Sequence, residues 1–222
     1  MKYVKLDGTT YEHPIGKILC IGRNYADHIK ELGNETPDAP VLFMKPSSSV
    51  IDDGGTVMIP SYSNDCHHES ELALLIGKTG KNIPAEQVME HLAGFGVALD
   101  LTLRDVQSDQ KKKGLPWEIA KGFDTSCPLS AFVSTAKVID PQNLTIRLSV
   151  NGELRQNGCT SMMIHPIAKL VSHMSQIFTL EPGDVILTGT PAGVGPLRHG
   201  DDVQVEISQV GTLRVSVTQL AE

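Results

Sequence analysis

Two glutamates separated by one residue are the first feature that could do chemistry. Glu69 and Glu71 lie in the run 67–77, whose apolar second half is typical of a strand. Side chains alternate along a strand, so both carboxylates point to the same side. Neighbouring acids on an apolar strand repel each other, and burial raises the cost, whereas a bound cation removes both penalties. The run alone is equally compatible with two acids on a solvent-facing strand.

A third acid, Asp100, follows the apolar run 94–99 and precedes a polar segment. We expect a strand to end at Asp100 and a helix to begin just after it, because Thr102 and Asp105 have the spacing of a capping box. One face of that helix would carry Arg104, Gln107 and Lys111. This position makes Asp100 a candidate third ligand, although an aspartate at a strand-to-helix turn is also common for structural reasons.

The type of metal follows from the type of ligand. Glu69, Glu71 and Asp100 offer hard oxygen atoms, which Mg²⁺ and Mn²⁺ prefer. Zinc is disfavoured, because His67 and His68 are neighbours on a strand and face opposite sides. The sequence therefore predicts a Mg²⁺ or Mn²⁺ site.

Three other segments carry groups suited to a reaction. His28 and Glu31 are three residues apart on a short helical run and share a face. Lys121 could supply positive charge. The glycine-rich segment 188–195 could bring backbone N–H groups close to an anion, and it lacks the Gly-Lys-Ser/Thr ending of a nucleotide-binding P-loop. An exposed helix pair, a solvated lysine and a tight loop are structural interpretations that stay open.

Strands and hairpins dominate the elements that would position these groups. Apolar residues alternate through 144–150, and that run ends in Asn151-Gly152, which favours a type I′ turn. The runs 203–207 and 213–217 alternate across Gly211 in the same way.

Helices are few and short in this pattern. One is predicted after Asn24, acting as an N-cap, one between Pro84 and Gly94, and one near Pro166. The balance indicates an α+β or mostly-β fold.

Length and composition limit the classes of protein. The 222 residues suit a single domain, 1–222, and 40% of them are hydrophobic. A net charge of -7 argues against nucleic-acid binding, and we expect no membrane association because no apolar run approaches the length of a membrane span. The N-terminus lacks the apolar stretch of a signal peptide, so we expect a cytoplasmic protein. Its four scattered cysteines are then free thiols.

Several segments together resemble the fumarylacetoacetate hydrolase family, close to its acylpyruvase and oxaloacetate decarboxylase branch. The similar segments span nearly the whole chain and follow the family's order: they are 22–28, 68–73, 100–107, 111–117, 150–156 and 188–195. The resemblance implies a mixed β-roll with a few short helices and a homodimer. It implies Mg²⁺ or Mn²⁺ on Glu69, Glu71 and Asp100, and substrate contacts from Arg104, Gln107, Lys121 and Thr190. It also places His28 and Glu31 on a lid helix, whose flexible exit would be 33–37.

The activity expected from the resemblance is hydrolysis of acylpyruvates to pyruvate and a carboxylate. His28, oriented by Glu31, would activate water, while the metal and Lys121 would stabilise the pyruvate enolate that leaves. Oxaloacetate decarboxylation and isomerisation or tautomerisation of a related 2-oxo acid would use the same enolate, so they remain alternatives. A binding protein without catalytic activity on the same scaffold is the alternative from another class.

Overall fold

The computed structural model describes residues 1–31, 33 and 39–221. Its α-helices are α1 (Ala26–Glu31), α2 (Arg104–Lys113), α3 (Glu118–Lys121) and α4 (Ile167–Ile177). Short 3₁₀ segments span Ser47–Ser49, Ala85–His91, Thr135–Lys137 and Thr160–Met162. The strands are β1 (Lys5–Leu6), β2 (Thr9–Thr10), β3 (Ile18–Gly22), β4 (Val41–Lys45), β5 (Val50–Asp52), β6 (Thr56–Ile59), β7 (Cys66–His68), β8 (Ser70–Ile76), β9 (Leu92–Leu99), β10 (Thr102–Leu103), β11 (Cys127–Leu129), β12 (Val133–Ser134), β13 (Thr145–Val150), β14 (Glu153–Cys159), β15 (Val185–Leu187), β16 (Gly195–Pro196), β17 (Asp202–Ile207) and β18 (Gly211–Gln219).

The largest sheet is mixed and carries the candidate site. Its order is β4-β3-β15-β8-β9-β11-β5, with β12 paired to β9. Every residue of β8 is buried, because Leu72 and Leu74 pack in one hydrophobic core while Ala73 and Leu75 pack in another on the opposite face. A strand covered on both sides reads as a continuous apolar run, which is what the sequence shows after Glu71.

A second sheet has the order β14-β13-β17-β18-β6 and covers the larger core. Its strands β13 and β17 alternate buried and more exposed residues, as predicted. The turn between β13 and β14 has positive φ angles of 53° at Asn151 and 79° at Gly152, as a type I′ hairpin requires. A small sheet, β10-β7-β16, lies beside the start of β8.

Most of the expected elements are confirmed, including α1 after Asn24 and α4 after Pro166. Three local predictions are wrong. Asn24 does not cap α1, because its side-chain oxygen accepts from the His165 N–H at 2.7 Å while its amide nitrogen donates to the His165 and Thr188 carbonyls. Gly94 ends no helix, since it lies inside β9.

The predicted capping box is the third error. Thr102 lies in β10 and its hydroxyl donates to the Asp100 carbonyl at 3.2 Å. The carboxylate of Asp105 accepts from the Ser63 hydroxyl at 2.7 Å and from the Asn64 N–H at 2.9 Å. The helix α2 starts at Arg104 without a side-chain cap, because these tertiary contacts take the polar atoms that a capping box would use.

The predicted fold class, a mostly-β roll with a few short helices, is confirmed. Of the predicted lid exit, 33–37, only Gly33 is within the described residues. No helix among the described residues is long and apolar enough to cross a membrane.

Candidate active site

Three buried acids meet where β8 and β9 lie side by side. Glu69 stands between β7 and β8, Glu71 lies in β8, and Asp100 follows β9. The antiparallel register pairs Ser70 with Leu99, and the Asp100 N–H donates to the Glu69 carbonyl at 2.9 Å. One carboxylate oxygen from each acid lies within 4.8 Å of the others. The acids are therefore not on a solvent-facing surface, and the structure brings the predicted triad together.

The three carboxylates do not share the same electrostatic environment. Burial, reinforced by Asp100 and Glu69, holds the pKa of Glu71 well above its usual range. Burial also opposes ionisation of Glu69, but Arg104 and Lys121 outweigh it and hold the Glu69 pKa well below its usual range. The Glu71 carboxylate accepts one hydrogen bond, from the Gly189 N–H at 2.6 Å. Glu71 is thus the acid whose charge is least compensated by the protein.

This arrangement fits a divalent cation. Glu69, Glu71 and Asp100 present oxygen donors close enough for one ion. A divalent cation bound between these carboxylates would relieve the repulsion that contributes to the raised pKa of Glu71. The triad is therefore a candidate divalent-metal site.

Lys121 is not a solvated surface lysine. It is buried at the end of α3, with Nζ 2.9 Å from Glu69 Oε2 and 2.5 Å from Asp100 Oδ2. Its Nζ also lies 4.8 Å from the centre of the Phe43 ring. A fixed ammonium beside the acids is positioned to stabilise negative charge that develops in the cleft.

Sequence reasoning missed a second buried lysine, Lys45 at the end of β4. Its Nζ lies 2.8 Å from Asp100 Oδ1. It also donates to the carbonyls of Leu101 at 3.2 Å, Ser126 at 3.0 Å and Lys121. The one signal in the sequence was a lysine that directly follows the apolar run 41–44.

The face of α2 that the sequence predicted does line the cleft. Arg104 pairs with the Glu69 carboxylate and its Nη1 donates to Gln107 Oε1 at 3.1 Å. Lys111 follows on the same face, with its Nζ 5.1 Å from the centre of the Trp117 ring.

The His28–Glu31 pair also reaches the cleft. His28 is buried, and its Nδ1 lies 3.3 Å from Glu31 Oε2. Because an ionised carboxylate only accepts, the neutral form of this imidazole carries its hydrogen on Nδ1 and a lone pair on Nε2. The same carboxylate accepts the Gly193 N–H, at 3.0 Å to Oε1 and 3.2 Å to Oε2. Glu31 thus joins α1 to the glycine-rich segment 188–195.

That segment does not use its glycine N–H groups as predicted. The N–H groups of Gly189 and Gly193 donate to Glu71 and Glu31, acids of the protein, rather than being reserved for a substrate anion. At Gly189 the φ angle is 91°, and a Cβ there would lie 2.7 Å from the Asn24 Cβ. Glycine is required because the segment passes so close to Asn24.

Thr190, the predicted substrate contact of this segment, is hydrogen-bonded to a buried glutamine. Gln156, fully buried, donates through Nε2 to Thr190 Oγ1 at 2.8 Å and to the Pro191 carbonyl at 2.8 Å. Its Oε1 accepts from the Ser70 N–H at 3.0 Å and faces His68 Nδ1 at 3.2 Å. Since Gln156 donates to Thr190 Oγ1, the hydroxyl hydrogen of Thr190 is left to donate elsewhere, and here it faces the Pro191 carbonyl at 3.5 Å, the long end of the hydrogen-bond range. Sequence reasoning missed Gln156.

All nine predicted site residues are therefore neighbours in one part of the fold. Seven of them line a single cleft: His28, Glu69, Glu71, Arg104, Gln107, Lys121 and Thr190. The other two contact members of this set, Asp100 through Lys121 and Glu31 through His28. Their individual roles stay predictions.

A mixed β-roll with a charged, carboxylate-rich cleft of this kind defines a class of β-rich enzymes. The chain belongs to the fumarylacetoacetate hydrolase family: residues 17–218 match the family model described as fumarylacetoacetate (FAA) hydrolase C-terminal. The resemblance inferred from the sequence is confirmed.

Named relatives cover most of the chain. It is 54% identical over 199 residues to oxaloacetate tautomerase YcgM of Escherichia coli (strain K12), covering 89% of this chain and 91% of the relative. It is 50% identical over 200 residues to mitochondrial oxaloacetate tautomerase FAHD1 of Mus musculus, covering 90% of each chain. The crystal structure of fumarylpyruvate hydrolase from Pseudomonas aeruginosa, in complex with Mn²⁺ and pyruvate, aligns with a TM-score of 0.93 and 37% identity, over 99% of this chain and 97% of that one.

Proposed function

We propose that this chain interconverts the keto and enol forms of oxaloacetate. The observation that carries the proposal is the placement of His28 and Lys121 on one cleft with the buried acids Glu69 and Glu71. A tautomerase needs a group that takes a proton from carbon and a positive charge near the oxygen that becomes negative. The two relatives named oxaloacetate tautomerase support this reaction over the acylpyruvate hydrolysis expected first from the sequence.

We assign the metal site to Glu69, Glu71 and Asp100, with Mg²⁺ or Mn²⁺ as the ion. The Mn²⁺ in the fumarylpyruvate hydrolase structure supports a divalent ion. When bound, the ion would supply a Lewis acid for the 2-oxo group.

The residues of the chain account for the proton transfers. His28 takes a proton from C3 through Nε2, since Glu31 holds the hydrogen on Nδ1. The electron pair of the broken C–H bond forms the C2–C3 double bond, and negative charge moves to the C2 oxygen. Lys121 stabilises that charge with its ammonium group. The C2 oxygen then takes a proton from water, and His28 returns the proton that it took from C3 to water, so that the enol forms with no net change in protons. The reverse sequence returns the keto acid.

Acylpyruvate hydrolysis is the second candidate. The His28–Glu31 pair favours it, because the same imidazole can take a proton from an attacking water. The similarity to fumarylpyruvate hydrolase also supports it. Oxaloacetate decarboxylation needs the charge stabilisation but no base.

A panel assay separates these reactions. Loss of the ultraviolet absorbance of enol-oxaloacetate reports tautomerisation, and a lactate dehydrogenase couple reports pyruvate from oxaloacetate, acetylpyruvate or fumarylpyruvate. We expect fast enol loss with Mg²⁺, none in chelator, and little pyruvate. Pyruvate from oxaloacetate would indicate a decarboxylase, pyruvate from the acylpyruvates a hydrolase, and no turnover of any of them a binding protein. Glu71→Gln serves as the inactive control.

We also propose a homodimer, on the family resemblance and on the preference of oligomers for two-fold symmetry. Light scattering over a range of concentrations tests it. A monomer at every concentration would contradict it.

A further inference from the structure

Lys111 stands out among the cations of the cleft by its surroundings. It lies on the cleft-facing side of α2, half-buried, with Nζ 5.1 Å from the centre of the Trp117 ring. Within the parts of the chain that the structure describes, no carboxylate lies within 4.0 Å of this Nζ. Arg104 and Lys121, in contrast, are both paired with acids of the triad. Lys111 therefore carries a charge that the described residues do not neutralise by contact.

The charges that act on Lys111 are mostly positive, so an anion beside its ammonium group would be favourable. Burial and, to a smaller extent, the positive charges of Arg23, Arg104 and Lys121 together lower its pKa to about 8, against a weaker opposing effect of Glu69. A half-buried ammonium among other cations is unfavourable unless an anion joins it. The aromatic face of Trp117 stabilises the ammonium but leaves its hydrogen-bond donors unused.

We propose that Lys111, held over Trp117, binds the second carboxylate of a dicarboxylic 2-oxo acid and so selects dicarboxylate over monocarboxylate substrates. The inference rests on the proposed function, because it takes the triad as the site of the first carboxylate and the 2-oxo group. Lys111 and the triad residues Glu69 and Glu71 line the same narrow cleft, so a short dianion can contact both ends. A charge-assisted hydrogen bond is the strong type of contact that such selection needs.

Trp117 makes the binding directly observable, because it is the one tryptophan in the sequence. Its fluorescence is titrated with maleate and with (Z)-but-2-enoate in the Mg²⁺-loaded protein. These two stable four-carbon acids differ only in a carboxylate replaced by a methyl group, and neither is turned over. We compare wild type with Lys111→Met, Lys111→Arg and Lys112→Met. Lys112 is exposed on the same helix and does not line the cleft, so it is the matched control.

The expected result is a loss of maleate affinity of about tenfold or more in Lys111→Met. Lys111→Arg should restore most of it, Lys112→Met should change nothing, and the affinity for the monocarboxylate should be the same in all four proteins. No maleate binding by wild type, or equal maleate binding by wild type and Lys111→Met, would overturn the proposal.

A kinetic comparison separates this proposal from the proposed function. With oxaloacetate, Lys111→Met should raise KM by a similar factor and leave kcat nearly unchanged. An unchanged KM in an active Lys111→Met variant would refute the carboxylate contact while the tautomerase assignment stands. Lys111-dependent maleate binding without oxaloacetate turnover would refute the tautomerase assignment while the contact stands.

Discussion

The ammonium group of Lys45 lies 2.8 Å from Oδ1 of Asp100, and neither side chain is more than 1% exposed. The same ammonium donates to the backbone carbonyls of Leu101, Lys121 and Ser126. Lys45 therefore holds a candidate metal ligand and the end of α3 in one arrangement.

Replacing Lys45 by methionine should destabilise the protein strongly. The change leaves the buried Asp100 carboxylate with one cation fewer and takes the Lys45 donor away from three carbonyls, of which those of Lys121 and Ser126 keep a second donor. The loss of the cation from a buried pair costs about 3 kcal/mol or more in the free energy of unfolding. Urea denaturation measures it. Lys30→Met is the control, because Lys30 is 79% exposed and pairs with Asp27 at the long distance of 3.7 Å. A loss no larger than that of the control would show that Lys45 does not support the fold.

The metal-free protein should lose stability as pH rises, because of Glu71. Its pKa is raised by burial and by the carboxylates of Asp100 and Glu69, so the folded state holds a proton that the unfolded state has released above about pH 4.3. This contribution is complete below that pH and is lost as pH rises through the folded-state pKa. Glu71→Gln does not titrate there, so its stability relative to wild type should increase over this range.

Thermal unfolding in chelator across pH measures that difference. Saturating Mg²⁺ should make wild type the more stable of the two proteins, since the ion stabilises wild type by binding the folded state and binds Glu71→Gln more weakly. A stability difference that does not change with pH would contradict the assignment of the proton to Glu71.

Replacing His28 by alanine should separate the possible reactions. Tautomerisation and acylpyruvate hydrolysis both need a base, so each should fall by about a hundredfold or more. Oxaloacetate decarboxylation needs none and should fall much less, whereas Lys121→Met should impair all three. Rates at saturating metal decide the matter. Equal losses in all three for His28→Ala would mean that His28 acts in closure of the cleft rather than as the base.

Gln156 should act on substrate binding through Thr190. Gln156→Leu removes the hydrogen bond that Thr190 Oγ1 accepts, and with it the fixed position of the Thr190 hydroxyl, so KM for oxaloacetate should rise by roughly tenfold with a smaller effect on kcat. Thr190→Val should have a similar effect, and the double variant should be no worse than either single one, because both remove one contact. Additive losses would show that Gln156 acts through the fold instead.

The sequence predicted best what depends on local periodicity and on residue type. The strand alternation placed Glu69 and Glu71 on one side, and helical spacing placed Arg104 and Gln107 together. It could not predict Lys45, because three of its partners are backbone carbonyls at least 56 residues away. The capping box at Thr102 failed for a related reason: Ser63, from another part of the chain, binds the Asp105 carboxylate.

The two contacts of Glu31 make the orientation of His28 depend on the position of α1. One carboxylate orients the His28 ring and anchors α1 to the Gly193 N–H. If α1 moved away from that anchor, the imidazole would lose its fixed tautomer in the same event. In the proposed tautomerase, His28 would be an oriented proton acceptor only while α1 stays at this anchor, so keto-oxaloacetate that entered the cleft with α1 displaced would keep its C3 proton.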